Sequence, residues 1–138
     1  MENFRNPDGY TPTETEEFMN EKMINYFRNK LLYIRDNLLQ REKETISSSK
    51  LESFNESDLS DRATKEEETS LGLKNQQRLQ QLSQEIDVAL YKIKSGDYGY
   101  CEKTGDPISV VRLDAMPTTK YTVEALTILE KENGNRPL

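Results

Sequence analysis

The chain has 138 residues, 33% of them apolar and 32% charged, and Leu, Ile, Val and Phe together number 30. That supplies a small core and a helical seam, and too little for a many-layered domain. There is no His and one Cys, Cys101, which excludes Ser-His-Asp and Cys-His catalysis, an intramolecular disulfide, and a tetrahedral zinc site of Cys and His. A net charge of −6 argues against a grip on nucleic-acid phosphates, so a protein surface is the expected partner, with no specific DNA binding.

Residues 1–19 hold Pro7, Gly9 and Pro12 among few apolar groups and read as a tail or strap packing on or near a globular end. Asn20 is placed to cap a helix beginning at Glu21. Ile24, Phe27, Leu31, Ile34 and Leu38 follow at spacings of 3, 4, 3 and 4, the spacing of a heptad seam. The pattern thins beyond Leu39, and residues 47–58 read as a loop.

A second long helix is predicted from Leu59 or Ser60 to Ser95, ended by Gly96, with a seam of Leu79, Leu82, Ile86, Ala89 and Ile93. At the helical rise it spans about 54 Å, longer than any core this composition supports, so its upper part is expected to stand in solvent. Phe27, Leu31 and Ile34 are expected to meet Leu82, Ile86 and Ile93. Residues 97–118 carry Gly99, Gly105, Pro107 and Pro117 between short apolar pieces such as Ile108-Ser109-Val110-Val111, and read as turns and short strands. Thr118 or Thr119 is the expected cap of a last helix carrying Val123, Leu126 and Leu129 or Ile128, ended by Gly134.

The fold predicted is mainly α, with a long antiparallel coiled-coil hairpin over 20–96 (tip about 47–61) and a small globular region over 97–138 with a C-terminal helix. From Glu52 to Glu68 there are seven acids and two bases, a net −5 that makes the hairpin tip acidic. Asp58 and Asp61 share one face of the second helix's start. On a solvated tip they have neither the pocket nor the shifted pKa of a general acid and base, so no catalysis by this chain is expected. No 18-residue apolar run and no signal-like N-terminus occur in the sequence, and a cytoplasmic protein with no membrane partner is expected.

The tip segment Asp58-Leu59-Ser60-Asp61-Arg62-Ala63 resembles the Asp-x-x-Asp-x-Ala tip motif of the DksA family, bacterial transcription factors that bind RNA polymerase. Ser70-Leu71-x-Leu73-x-Asn75 and Arg78 keep that family's register, and Asp97-Tyr98-Gly99-Tyr100-Cys101-Glu102, Gly105, Ile108, Arg112-Leu113, Ala115 and Pro117-Thr118 are similar to its C-terminal motif. The resemblance covers roughly residues 16–133. It implies a monomer that enters the polymerase's secondary channel, with Asp58, Asp61 and Ala63 near the catalytic centre and Arg78 and Leu82 gripping the channel rim. The effect implied is altered stability of promoter open complexes, as in a stringent response. The rival readings are a transcript-cleavage factor and a coiled-coil scaffold that dimerises through its seam.

Two departures from the family stand out. Its usual globular end holds zinc with two Cys-x-x-Cys pairs, and here those positions are Cys101, Thr104, Thr122 and Ala125. No zinc is expected, since Thr is not a zinc ligand of consequence. Basic side chains that help hold the alarmone ppGpp in well-known members correspond to Glu85, Met116 and Leu126, with Arg112 and Lys120 the nearby basic residues. The resemblance therefore leaves ppGpp open as an effector.

Overall fold

The computed structural model describes residues 4–52 and 59–134, and the side chains of those outside 45–68. Four helices follow in order: α1 (Glu21–Glu52), α2 (Leu59–Ser95), α3 (Val110–Ala115) and α4 (Val123–Gly134). No strand occurs among the described residues, where the only pairing is an isolated antiparallel bridge between Tyr100 and Pro107. The fold is thus a long antiparallel helical hairpin with a small globular region and a C-terminal helix. No helix among the described residues is long and apolar enough to cross a membrane.

The start of α1 follows the capping reading: the Met23 N–H donates to Asn20 Oδ1 at 3.0 Å. Neither Gly nor Pro interrupts Glu21 to Glu52, so the helix continues through Ser47–Glu52, where the serine run read as a loop. At its far end α2 closes on Gly96, whose φ of +85° suits glycine, and the Asp97 N–H donates to the Lys92 carbonyl at 2.9 Å. Lys92 and Lys94 in the last turn complement the helix dipole.

The chain divides into two compact units, residues 1–32 with 88–138, and residues 33–87. The second unit is the greater part of the hairpin. Ile34, Leu38 and Ile86 are buried, Leu79 and Leu82 are half-buried, and Leu73 and Leu71 are 55% and 61% exposed. The α2 seam therefore empties from Ile86 toward the helix start, in the direction that the thinning of apolar residues indicated.

The first unit holds the main core: Met23, Phe27, Leu31, Ile93, Tyr98, Ile108, Leu113 and Ala125 are all buried. Its aromatic centre is built on Phe27, which packs edge-on against Tyr26 at 5.3 Å and tilted against Tyr98 at 5.6 Å. The segment read as strands folds otherwise. Cys101 N–H donates to the Asp106 carbonyl and Ile108 N–H to the Gly99 carbonyl, closing one tight turn at Gly105. Val110 then opens α3 and buries itself with Leu113 three residues on. A four-residue apolar run does not distinguish strand from buried helix by periodicity, and the i, i+3 pair is what this core accepts. Helix α4 is capped by Thr122 rather than Thr118 or Thr119, since Thr122 Oγ1 accepts the Ala125 N–H at 3.1 Å.

The N-terminal segment is a strap fastened onto the first unit. Glu16 accepts from Tyr10 Oη at 2.6 Å and from the N–H and hydroxyl of Thr13 at 2.9 and 2.8 Å. The Tyr10 bond leads the donors that pull its carboxyl down to about 2. Asn6 is buried and accepts from Asn29 Nδ2 at 2.9 Å, and Ser109 Oγ donates to Glu14 at 2.9 Å. Phe18 meets Tyr100 edge-on at 5.4 Å.

Candidate functional site

Four groups of residues were singled out in the sequence, and they fall differently in the structure. Asp58 lies outside the described residues. Asp61 and Ala63 stand on the first turns of α2, and their side chains lie outside the described set. Arg78 is exposed on α2, and Leu82, one turn on, is half-buried in the seam. Of the positions expected to be basic, Glu85 is half-buried in the second unit. Met116 is 54% exposed and Leu126 half-buried in the first.

The four positions of the zinc pattern are drawn together by the turn at Gly105 and the start of α4. Cys101 is 3% exposed. Thr122 donates its hydroxyl to Cys101 Sγ at 3.9 Å and accepts the Ala125 N–H as the cap of α4. Ala125, fully buried, puts a methyl group where a fourth ligand would stand. One thiol, two hydroxyls and a methyl do not fit a tetrahedral zinc ion. Among the described residues no three His, Cys, Asp or Glu side chains are grouped to hold a metal ion.

What surrounds Cys101 instead is a nest of donors. Burial by itself disfavours the thiolate, but the Thr104 hydroxyl and the N–H groups of Thr122, Thr104 and Lys103 outweigh it and hold the thiol down to about 6. A thiol depressed in the fold adds stability in full only above its unfolded pKa near 9, and that contribution is lost as pH falls through about 6. Ultraviolet thiolate absorbance is expected to titrate near pH 6 in the folded protein and near 9 in denaturant. Cys101→Ser should remove both transitions, and a folded midpoint near 9 would refute the nest.

A cluster that sequence reasoning missed ties α1 to α3. Asp114 Oδ1 accepts from Tyr26 Oη at 2.6 Å and from Lys30 Nζ at 2.7 Å. Partial burial opposes the Asp114 charge, yet the bonds from Lys30 and Tyr26 prevail and hold its carboxyl below the usual range. Burial, then the Asp114 bond, pushes the Tyr26 hydroxyl up. The i, i+4 spacing of Tyr26 and Lys30 was visible in the sequence, but nothing there pointed to a partner 84 residues beyond Lys30. Asp114→Ala is expected to cost about 2 kcal/mol, because it leaves a Lys30 side chain only 13% exposed with its ion pair gone. Urea unfolding measures this, and a change under about 0.5 kcal/mol would show that water replaces the carboxylate.

Comparison with known proteins matches this arrangement along most of its length. The family model for the N-terminal domain of the DnaK suppressor protein DksA matches residues 23–93, and that for the prokaryotic dksA/traR C4-type zinc finger matches 96–131. The RNA polymerase-binding transcription factor DksA of Caulobacter vibrioides is 43% identical over 116 residues, 84% of this chain and 82% of the relative. The chain belongs to the DksA family. The Escherichia coli K12 protein of the same name is 36% identical over 121 residues, 88% of this chain and 80% of the relative. Among solved structures, the transcription factor DksA2 from Pseudomonas aeruginosa superposes with a TM-score of 0.80 at 32% identity, covering 88% of this chain and 95% of that one. Membership in the DksA family thus extends over the C4 region, although three of its four thiols are replaced here.

Proposed function

We propose that this protein binds RNA polymerase and regulates transcription through the enzyme's secondary channel, changing the lifetime of promoter open complexes. The observation that carries this reading is the 43% identity to a relative named for RNA polymerase binding, over 82% of that relative's length. The tip residues Asp58, Asp61 and Ala63 are present in this sequence, as are Arg78 and Leu82 on the stalk. In this reading Arg78 and Leu82 hold the channel rim while the two carboxylates approach the catalytic centre. Their charge acts there with an effect that bulk water denies it. The protein works in the cytoplasm, as a monomer, without catalysis of its own.

Capture of purified RNA polymerase, with and without a competitor that fills the secondary channel, tests binding. Open-complex lifetime tests regulation. Shorter lifetimes with no cleavage of RNA in stalled complexes are expected. Cleavage of backtracked RNA would replace this reading with that of a cleavage factor, and no binding to polymerase would end it.

We further propose that the globular end holds without metal. The Thr122 cap and the buried Ala125 methyl support this, as do Arg112 Nε donating to the Tyr121 carbonyl at 2.9 Å and Tyr98 Oη donating to the Pro117 carbonyl at 2.7 Å. The last two bonds tie α3 and Tyr98 to the stretch that leads into α4. Elemental analysis is expected to find no stoichiometric zinc, and the melting temperature should be unmoved by a strong chelator. One equivalent of zinc, or melting on chelation, would refute it.

A further inference from the structure

Helix α2 carries an outward face unlike the rest of this chain. Of the 18 residues from Thr69 to Ile86 only Lys74, Arg78 and Glu85 are charged, against 32% for the whole protein. At spacings of 4 and 7 the three share a single edge of the helix. Five of the remaining residues are Gln.

Ser70, Leu73, Gln77, Gln80 and Gln84, spaced 3, 4, 3 and 4, form a second stripe, and every one of them is exposed. Gln77, Gln80 and Gln84 each stand two positions before a seam residue, Leu79, Leu82 and Ile86. Two positions are a rotation of about 200°, so the stripe faces away from the seam. That side of a solvated amphipathic helix ordinarily bears its charges. Here it bears amides, a hydroxyl and Leu73, 55% exposed.

Such a face can leave water cheaply. Amides both donate and accept hydrogen bonds and find partners on any polar surface, whereas a buried charge requires a matched counter-charge. From Ser70 to Gln84 the stripe is about 21 Å long and one helix face wide, on the order of 200 Å². A stable dimer needs roughly 800 Å² from each copy, so the stripe by itself is too small to pair two chains. It suits one wall of a larger docking surface.

Resting on the function proposed above, we infer that this stripe is a second docking face of the stalk, covered in the complex by an uncharged surface of RNA polymerase. The Arg78 edge makes the salt-sensitive part of the contact, and the Gln stripe the salt-insensitive part.

Affinity for purified polymerase is to be measured for the wild type, Gln77→Glu/Gln80→Glu, Gln77→Lys/Gln80→Lys and Arg78→Ala, at low and high salt. Circular dichroism and urea unfolding check that the variants remain folded. Both double variants are expected to bind at least about tenfold more weakly, because either sign of charge is stranded against an uncharged wall, and high salt should not restore them. Double variants that bind within about twofold of wild type, beside a weakened Arg78→Ala, would show that the stripe stays in water and overturn the inference. Opposite effects of the two signs would make the wall charged and overturn it equally. A wild type that sediments as a dimer, dissociated by both double variants, would assign the stripe to a second copy instead. Failure of the wild type to bind polymerase would end the functional reading, and this inference with it.

Discussion

Asp61→Asn is expected to leave polymerase binding intact and to abolish the effect on open-complex lifetime. The substitution keeps the shape of the side chain and most of its hydrogen-bonding capacity while removing one negative charge from a segment with a net of −5 over 52–68. As a near-isosteric change it should alter stability by only about 0.5 kcal/mol. Docking rests on the proposed contacts of Arg78 and Leu82, farther along α2. Filling the channel and changing the chemistry at its end are therefore separable, and the variant should compete with wild type for polymerase without regulating. Asp58→Asn should act in the same direction. Equal binding with equal regulation would reduce the acidic tip to a solvated helix start. Collapse of binding would make the tip an anchor.

The largest effect on stability is expected at Gly99. Its φ is +94°, and a Cβ there would lie 2.6 Å from Met19 Cε and 3.0 Å from Phe18 Cζ. Met19 is itself held at a φ of +56°, the only positive value at a non-glycine position among the described residues. The Met19 methyl is the end of a flexible side chain and can shift, so the Phe18 ring is the neighbour that resists the added methyl. Gly99→Ala combines left-handed strain of about 1–2 kcal/mol with overpacking of about 1–3 kcal/mol, a total of about 2–5 kcal/mol. Gly105→Ala separates the two contributions. Its φ is +77° and nothing lies within 4 Å of the added methyl, so only the strain remains. Urea unfolding of the pair should show Gly99→Ala losing at least about twice as much as Gly105→Ala. Equal losses would mean that Phe18 and Met19 swing aside freely and that the strap is loosely held.

These two experiments probe levels of structure that were unequally legible in the amino-acid order. The hairpin was legible because its stability is local and periodic: one seam residue every three or four positions, an Asn20 cap and a Gly96 stop each leave a pattern within a few residues. The tip motif and the missing thiols are visible as residue types at fixed spacings, while the roles of Asp61 and Arg78 belong to the proposed function.

The globular end was less legible. Ile108-Ser109-Val110-Val111 was compatible with a strand, and only the buried positions of Val110 and Leu113 against this core select a helix. Thr118 or Thr119 was the expected cap of the last helix, and the structure uses Thr122 instead, the one placed between Cys101 and the Ala125 N–H. Tyr26 and Lys30 became partners of Asp114 through a contact spanning more than 80 residues. Of the neighbouring Glu14, Glu16 and Glu17, Glu16 became the one that gathers Tyr10 and Thr13. The chain alone determined what is set by short-range spacing: the two long helices, the start of the first and the Gly96 stop of the second, the acidic charge of the 52–68 segment and the absence of a thiol cluster, though not that α1 runs on to Glu52. Tertiary structure decided which of several equivalent local groups is used, because that choice depends on which distant neighbour is left needing a partner once water is excluded.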